Sequence, residues 1–501
     1  MSELLARCRV DPSTRRFGPG GQLVLGGSPR RLVRLSDAGA SLLDRIGAGE
    51  ALSASTGRVA MLDRLVRAGI LHPDPVGGST RASAHDVTVV VPVRDDPEGV
   101  AALLRSLRAA GPAPARVVVV DDGSDDPDRL HAAVHESAAD LQVELVRRAR
   151  PGGPAAARNA GIARADTELV ALLDADCVVG VDWLDPLLAQ LSDAGVAMVA
   201  PRVTAPGVTG IGPIGPIAPG GHGGHVAGDQ VAAPSGASRA RRERYDAACS
   251  PLDLGRHAGE VRPGARLTYV PSAALLARRQ VLVALGGFDE SMRVGEDVDL
   301  VWRAVDAGHR VRYEPSVVVE HRVRPTWSAW VRQRAGYGRS AASLDERHPG
   351  QVAPVVCSRW SLAMWVLAVS GHPLAAASIG AATTATLSRS LQGVPLLEVA
   401  RLGAHGHLSA GRQLARAALR VWWPLLLAGS IVSRRVRRAA LVCVAVGATG
   451  AWSDASDRNR VDLAPWELAA ISFVDDAAYG AGVWQGCWRR RSWRALLPRL
   501  G

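Results

Sequence analysis

The segment LVALLDADCVV, residues 169–179, runs five apolar residues into Asp174-Ala175-Asp176 and then turns apolar again. A carboxylate buried against such a strand without a partner is costly, so a compensating group is implied. Arginine, water at a loop or a metal ion could each supply it. Acids close two further apolar runs. VTVVVPV leads into Arg94-Asp95-Asp96, and RVVVV leads into Asp121-Asp122. Another pair, Glu296-Asp297, sits in RVGEDVDLVWR, and His321 ends SVVVEH. Such groups suit two tasks: holding a hard cation through oxygen ligands and taking a proton as a general base. Acids at a helix start are also stabilised by the helix dipole with no reaction involved. Asp299 would point differently from Asp297 if a helix begins there.

The frame for these groups is written in the periodicity. VTVVVPV, RVVVVDDG, LQVELV and ELVALLDAD are short runs of branched apolar residues. EGVAALLRSLRAA and AARNAGIARA lie between them and read as helices. This alternation predicts a mostly parallel α/β sheet with helices on both faces. Ligands of such sheets bind beyond the carboxyl ends of the strands, where the acids fall.

Composition removes several classes. The 501 residues include no lysine, so all 59 basic residues are arginine. A Walker A lysine, a Schiff-base lysine and a kinase ATP-pairing lysine are therefore excluded. The net charge of +11 reads as compositional bias towards arginine. No base-reading element accompanies it, and no nucleic-acid partner is expected. Attraction to phosphate substrates or an anionic membrane remains consistent with it. The six cysteines are scattered without a CxxC pair, which suits buried thiols in a reducing compartment.

Three regions are expected. Residues 1–80 read as a small winged-helix-type module. LVRLSDAGASLLDRI gives a strand and an amphipathic helix with Ser36 as N-cap, and MLDRLVRAGILHPDP gives a second helix ended by Gly69. Residues 86–345 hold the α/β domain. Within it, residues 204–240 are rich in Gly, Pro and Ala and read as mobile, with His222 and His225 as ordinary loop histidines. Residues 350–501 read as helical and partly apolar. SLAMWVLAVSGHPLAAASIG is nearly long enough to span a bilayer, but His372-Pro373 interrupts it. Nine of the 13 tryptophans lie at or beyond Trp360, a pattern that fits an interfacial belt. Membrane association is expected, with a soluble Trp-rich helical domain as the alternative. The start, MSELLARCRVDPSTRRF, has no apolar signal segment.

VTVVVPVRDD, RVVVVDDGSDD, LVALLDADC and GGFDESMRVGEDVDLVWRAVDAGHRVRYEPSVVVEH, in this order, resemble the family 2 glycosyltransferases of the GT-A fold. The likeness covers roughly residues 86–340. It implies a nucleotide-sugar donor and a divalent metal, Mg2+ or Mn2+, that stabilises the departing diphosphate. It further implies Asp176 as the main metal ligand, Asp174 at the ribose or in the metal shell, and His321 completing that shell. Pro92, Arg94 and Asp95 would wall the nucleotide pocket. Asp121 would accept from the nucleobase N–H, with Asp122 completing the turn near the donor. Arg158 and Asn159 would lie beside the donor. From the Glu296-Asp297 pair, Asp297 would be the general base. A base opposite the leaving group implies inversion.

The blocks RERYD, SPLDLG, RLTYVPSAALLARR, GEDVDLVWR, RVRYEP and RAGYGRSAASLDERHP narrow the likeness. They resemble the glycosyltransferase group of mycofactocin biosynthesis, which decorates a peptide-derived redox cofactor with hexose, glucose from UDP-glucose being the implied donor. The first 75 residues resemble peptide-binding modules of peptide-maturation systems, which would make the precursor peptide or maturation proteins partners. One departure stands out. Processive synthases of the wider family carry Gln-x-x-Arg-Trp, whereas Gln333-Arg334-Ala335-Gly336-Tyr337 here lacks the tryptophan. A short oligosaccharide on a peptidic acceptor is expected, made at the cytoplasmic face of the cell membrane. A polyprenyl-phosphate or cell-wall lipid acceptor is the second reading, and a peptide-binding scaffold with a degenerate transferase domain is the non-enzyme reading.

Overall fold

The computed structural model describes residues 8–50, 56–73, 82–207, 235–324, 326–458 and 462–501. His222 and His225, with residues 208–234 around them, lie outside the described residues.

The N-terminal module has strands β1 (Cys8–Val10), β2 (Arg15–Phe17), β3 (Leu23–Gly26), β4 (Arg31–Arg34) and β5 (Leu71–Pro73), with helices α1 (Asp37–Gly47) and α2 (Thr56–Arg67) after β4. Ser36 caps α1 by accepting the Gly39 N–H at 3.3 Å. Gly69, at φ +71°, follows α2, a conformation that glycine tolerates without a Cβ penalty. Strands β2, β3 and β4 form an antiparallel sheet, and β1 pairs with β5. Val24, Leu43, Leu65 and Ile70 are its buried core. The module touches the larger domain through Asp63, 3.7 Å from Arg310, and through Ser28, whose Oγ accepts the Arg266 N–H at 2.6 Å and whose carbonyl accepts from Arg262.

The larger domain follows as β6 (Val87–Val93), α3 (Pro97–Ala109), β7 (Arg116–Asp121), α4 (Pro127–Ala138), β8 (Val143–Arg147), α5 (Pro154–Arg164), β9 (Leu169–Leu173), β10 (Cys177–Val179), α6 (Asp185–Leu191), β11 (Val196–Thr204), α7 (Ser235–Cys249), β12 (Gly259–Val261), β13 (Ala274–Arg278), α8 (Arg279–Ala284), α9 (Glu296–Asp306) and β14 (Arg310–His321). One nine-stranded sheet runs in the order β10-β14-β11-β13-β9-β6-β7-β8, with β12 also on β14. Strands β6, β7, β8, β9, β11 and β14 share one direction, and β10, β12 and β13 oppose it. The unbroken apolar runs have a simple cause. Side chains alternate between faces along a strand, and both faces are covered. Val89, Val91, Val117, Val119, Ala171 and Leu173 pack with α3 and α6. Val90, Val118, Val120, Val170 and Leu172 pack with α5, α8 and α9 on the other side.

The rest of the chain is helical: α10 (Trp327–Arg347), β15 (Val356–Cys357), α11 (Arg359–Val369), α12 (Pro373–Ser390), α13 (Leu396–Arg420), α14 (Trp423–Val432), α15 (Arg434–Arg458), α16 (Pro465–Arg490) and β16 (Arg499–Leu500). The interruption at His372-Pro373 falls between α11 and α12, since proline suits a first helical turn and not an interior one. Helices α10 and α16 meet backbone to backbone. A Cβ on Gly338 would lie 1.9 Å from the Tyr479 carbonyl oxygen, and one on Gly482 would lie 2.0 Å from that of Ala335. Among the described residues one helix, Arg434–Asp457, is long and apolar enough to cross a membrane. The pair α13 and α14, bent by 86°, passes the same test only if taken together. Leu425, Ile431, Val432, Leu441 and Val442 of α14 and α15 are exposed.

Candidate active site

The predicted strand ends converge on one cleft of about 1410 Å³. Strand β9 ends at Leu173, and Asp174 to Asp176 form a tight turn into β10, closed by the Cys177 N–H bonding to the Asp174 carbonyl at 3.0 Å. β14 pairs with β10, so Cys177 faces His321 in register. This pairing brings His321 Nε2 to 3.2 Å from Asp176 Oδ1 and 3.9 Å from Asp174 Oδ2. The three ligand atoms lie within 4.8 Å of one another. Two carboxylates and an imidazole fit a divalent cation with oxygen preference that also accepts nitrogen. Arg324 Nη1 lies 3.8 Å from Asp176 Oδ2, adding positive charge at the same edge.

Arg158, on α5, is buried and forks between two acids: Nη2 donates to Asp174 Oδ1 at 2.6 Å and Nη1 to Glu296 Oε1 at 2.9 Å. Burial disfavours its charge, but Asp174 and Glu296 outweigh this and hold the guanidinium firmly protonated. The compensating charge for Asp174 is thus built into the fold.

Helix α9 supplies the base candidate. It starts at Glu296, immediately after Gly295, whose φ of +82° sets the sharp entry. Asp297 Oδ1 accepts the Val298 N–H at 2.8 Å and Oδ2 the Ser272 N–H at 3.3 Å. Burial raises the Asp297 carboxyl above its ordinary range, and Asp174 adds to this, while Arg158 and the two N–H donors oppose it. Glu296 is raised by burial and by the Asp297 charge, again against Arg158, so the two acids titrate as a pair. Asp299 turns away from the cleft, as a helical start requires, and bonds Arg303 at 2.7 Å and His348 at 3.1 Å.

The remaining predicted residues divide. Pro92, Arg94, Asp122 and Arg158 line the cleft beside Asp174 and Asp176. Asp122 binds Arg148 and accepts the Gly152 and Gly153 N–H groups, at 2.9 and 2.6 Å, fixing the turn that launches α5 and hence Arg158. Asp121 is buried behind that turn, where Oδ1 accepts the Ser124 N–H at 2.7 Å. Asp95 accepts the Asp125 N–H at 2.7 Å. Asn159 is spent on the Phe288 backbone, donating to its carbonyl and accepting its N–H, both at 2.8 Å. Asp121, Asp95 and Asn159 are not among the residues lining the cleft.

Two models describe this chain: Glycosyl transferase family 2 matches residues 88–216, and Glycosyl transferase family group 2 matches residues 235–449. The pre-mycofactocin glycosyltransferase of Mycobacterium tuberculosis is 37% identical over 502 residues, spanning 98% of this chain and 97% of that protein. The chain is a family 2 glycosyltransferase. Solved structures with the GT-A fold include the mannosyltransferase PcManGT from Pyrobaculum calidifontis in complex with GDP-Man and Mn2+, at TM-score 0.35, 17% identity, 76% of this chain and 90% of that one. Another is glucosyl-3-phosphoglycerate synthase from Mycobacterium tuberculosis with Mn2+ and UDP, at TM-score 0.33, 15% identity, 54% of this chain and 86% of that one.

In this glycosyltransferase the cleft also takes in residues to which sequence motifs assign no site role. Helix α10 places Gln333 and Tyr337 on the cleft, in the neighbourhood where the processive motif would stand. Arg334 between them is buried and committed to Asp246 at 2.6 Å and Asp475 at 3.3 Å. Asp246 also accepts from the Trp330 indole at 3.0 Å. RERYD and RAGYG are short and carry no periodicity, so their meeting through Asp246 and Arg334 could not be read from spacing.

Proposed function

We propose that this family 2 glycosyltransferase moves a hexose from a nucleoside-diphosphate donor, UDP-glucose, to a peptide-derived redox cofactor precursor, with inversion at the sugar carbon. The observation that carries the reading is one cleft lined by both the Asp174–Asp176–His321 cluster and Asp297. The identity to the pre-mycofactocin enzyme along the whole chain supports the choice of acceptor. In this reading Asp176, Asp174 and His321 hold Mg2+ or Mn2+, which supplies Lewis-acid stabilisation of the diphosphate. Pro92, Arg94 and Asp122 form the nucleotide end, with Asp121 holding the turn behind them through the Ser124 N–H. Asp95 and Asn159 act as positioning residues, through the loop after β6 and the Phe288 turn. Arg158 fixes both Asp174 and Glu296 through its fork. Asp297, turned to the cleft by its two N–H donors, takes the proton of the acceptor hydroxyl as the new bond forms.

The N-terminal module is read as a holder for the precursor peptide or a maturation protein. The exposed apolar residues of α14 and α15, beside Arg434, Arg435, Arg437 and Arg438, favour attachment to the cytoplasmic face of the membrane. They also motivate a second reading, a lipid-linked acceptor. The test is a mass ladder. Purified protein with UDP-glucose, Mn2+ and pre-mycofactocin should add successive hexose masses, and chelation should stop this. Label entering only lipid extracts would instead select the second reading.

A further inference from the structure

The cleft is larger than one donor needs. Small-molecule sites commonly enclose roughly 300–1,000 Å³, and here the volume is about 1410 Å³. The excess lies beyond Asp297 and Tyr337, where α13, α15 and α16 form the wall. The chemistry of that wall is specific. On these three helices the charged lining residues are Arg412, Arg416 and Arg420 facing Asp454, Asp475 and Asp476, among the described residues. Arg420 donates to Asp476 at 2.8 Å and lies 3.8 Å above the Tyr479 ring centre. Arg416 lies 3.5 Å from Asp454. Three cations against three anions give a neutral surface rich in both donors and acceptors. That suits a neutral hydroxylated chain better than a phosphate-bearing one, which would favour excess positive charge. On α15, Gly450 leaves room, since a Cβ there would meet no heavy atom within 4 Å, whereas one on Gly447 would lie 2.6 Å from Leu419 of α13. The exposed Leu441 and Val442 of α15 are not part of this lining, which on that helix runs from Val446 to Ala455 and includes Thr449, Ser453 and Asp454.

The wall is also fixed relative to the catalytic acids. Helix α16 is locked to α10 at Gly338, Gly482 and Gly486, where backbones touch. Asp475 of α16 is tied to Arg334 of α10, which in turn is tied to Asp246 of α7. A chain lying along α16 is therefore held in register with Asp297.

We propose that this arm of the cleft is an acceptor subsite for a short neutral oligosaccharide, so that the C-terminal helices hold the growing product and set its length. This rests on the transferase reading above for the direction of growth, but binding can be measured without it. Cellotetraose, as a probe of short β-linked glucose chains, is titrated by calorimetry into the full-length protein with UDP and Mn2+ present. The wild-type chain should bind it. Gly450→Trp, which fills the open space, should weaken binding at least tenfold. Asp454→Ala, which removes an exposed carboxylate without adding bulk, should weaken it several-fold, and UDP affinity should stay within twofold in both. Failure of the wild-type chain to bind cellotetraose, or equal binding by both variants, would overturn the subsite. Failure to glycosylate pre-mycofactocin with cellotetraose binding intact would overturn the acceptor assignment and leave the subsite standing.

Discussion

Replacing Arg158 by methionine tests the electrostatic logic of the site. The apolar stem is kept, but the guanidinium and with it the fork between Asp174 and Glu296 are lost. Removing one member of a buried ion pair costs about 3–5 kcal/mol, because a charge stays buried without a partner. Here the two acids differ. The Glu296 side chain is 9% exposed and cannot rehydrate, whereas Asp174 is 27% exposed and partly can. The loss should therefore sit near the low end, about 3 kcal/mol, or roughly 6–12 °C in melting temperature for a domain of this size. Freed from Arg158, Asp174 should bind a cation more strongly, so Mn2+ should raise the melting temperature more in the variant than in the wild type. Thermal unfolding of both proteins with and without Mn2+ reads all of this. A variant destabilised by less than about 1 kcal/mol, with an unchanged response to Mn2+, would show that Arg158 does not neutralise the two acids. Arg158→Lys should recover only part of the loss, since an ammonium cannot fork to two acids.

Three further outcomes are expected. Asp176→Asn should weaken Mn2+-dependent UDP binding by an order of magnitude or more and leave metal-free stability almost unchanged, as calorimetry and thermal melts would register. In the pH dependence, the raised Asp297 carboxyl should put the rising limb of activity above its ordinary value of 3.8, and Arg158→Met should move that limb higher, because Arg158 opposes the rise. The stability sign follows: native Glu296 and Asp297 hold protons more tightly than the unfolded chain, so their contribution falls as pH climbs from ordinary carboxylate values through the raised ones. Gly338→Ala should destabilise by about 1–3 kcal/mol and expose α16 to proteolysis, because its Cβ meets the Tyr479 carbonyl. Gly406→Ala, with nothing within 4 Å, should be neutral or mildly stabilising in the same assay.

The sheet was legible because its strands are buried on both faces and so read as unbroken apolar runs. The DAD turn and the acids at the start of α9 stood out because charge beside such runs needs a reason. The antiparallel β13 was not legible: ALLAR looks like any short apolar run, and only pairing between β9 and β11 gives it a place. SVVVEH looks like a strand of its own because Pro315 interrupts the apolar pattern, yet it is the end of the twelve-residue β14, whose pairing with β11 carries a register shift between Pro201 and Arg202. Arg158 was found by likeness but not its role, since a link between residues 138 positions apart leaves no periodic trace. In the first module, β1 to β3 were too short and mixed in character to declare themselves, whereas the cap at Ser36 and the stop at Gly69 carry local chemistry and did.

The central claim is that Asp297 takes the acceptor proton while the metal cluster and nucleotide end bind the donor without it. Single-turnover transfer by Asp297→Asn, measured beside UDP–Mn2+ affinity, tests it most directly. Transfer should fall by roughly 10²–10⁴-fold with donor affinity changed by no more than a few-fold. Transfer at wild-type rate in that variant would contradict it.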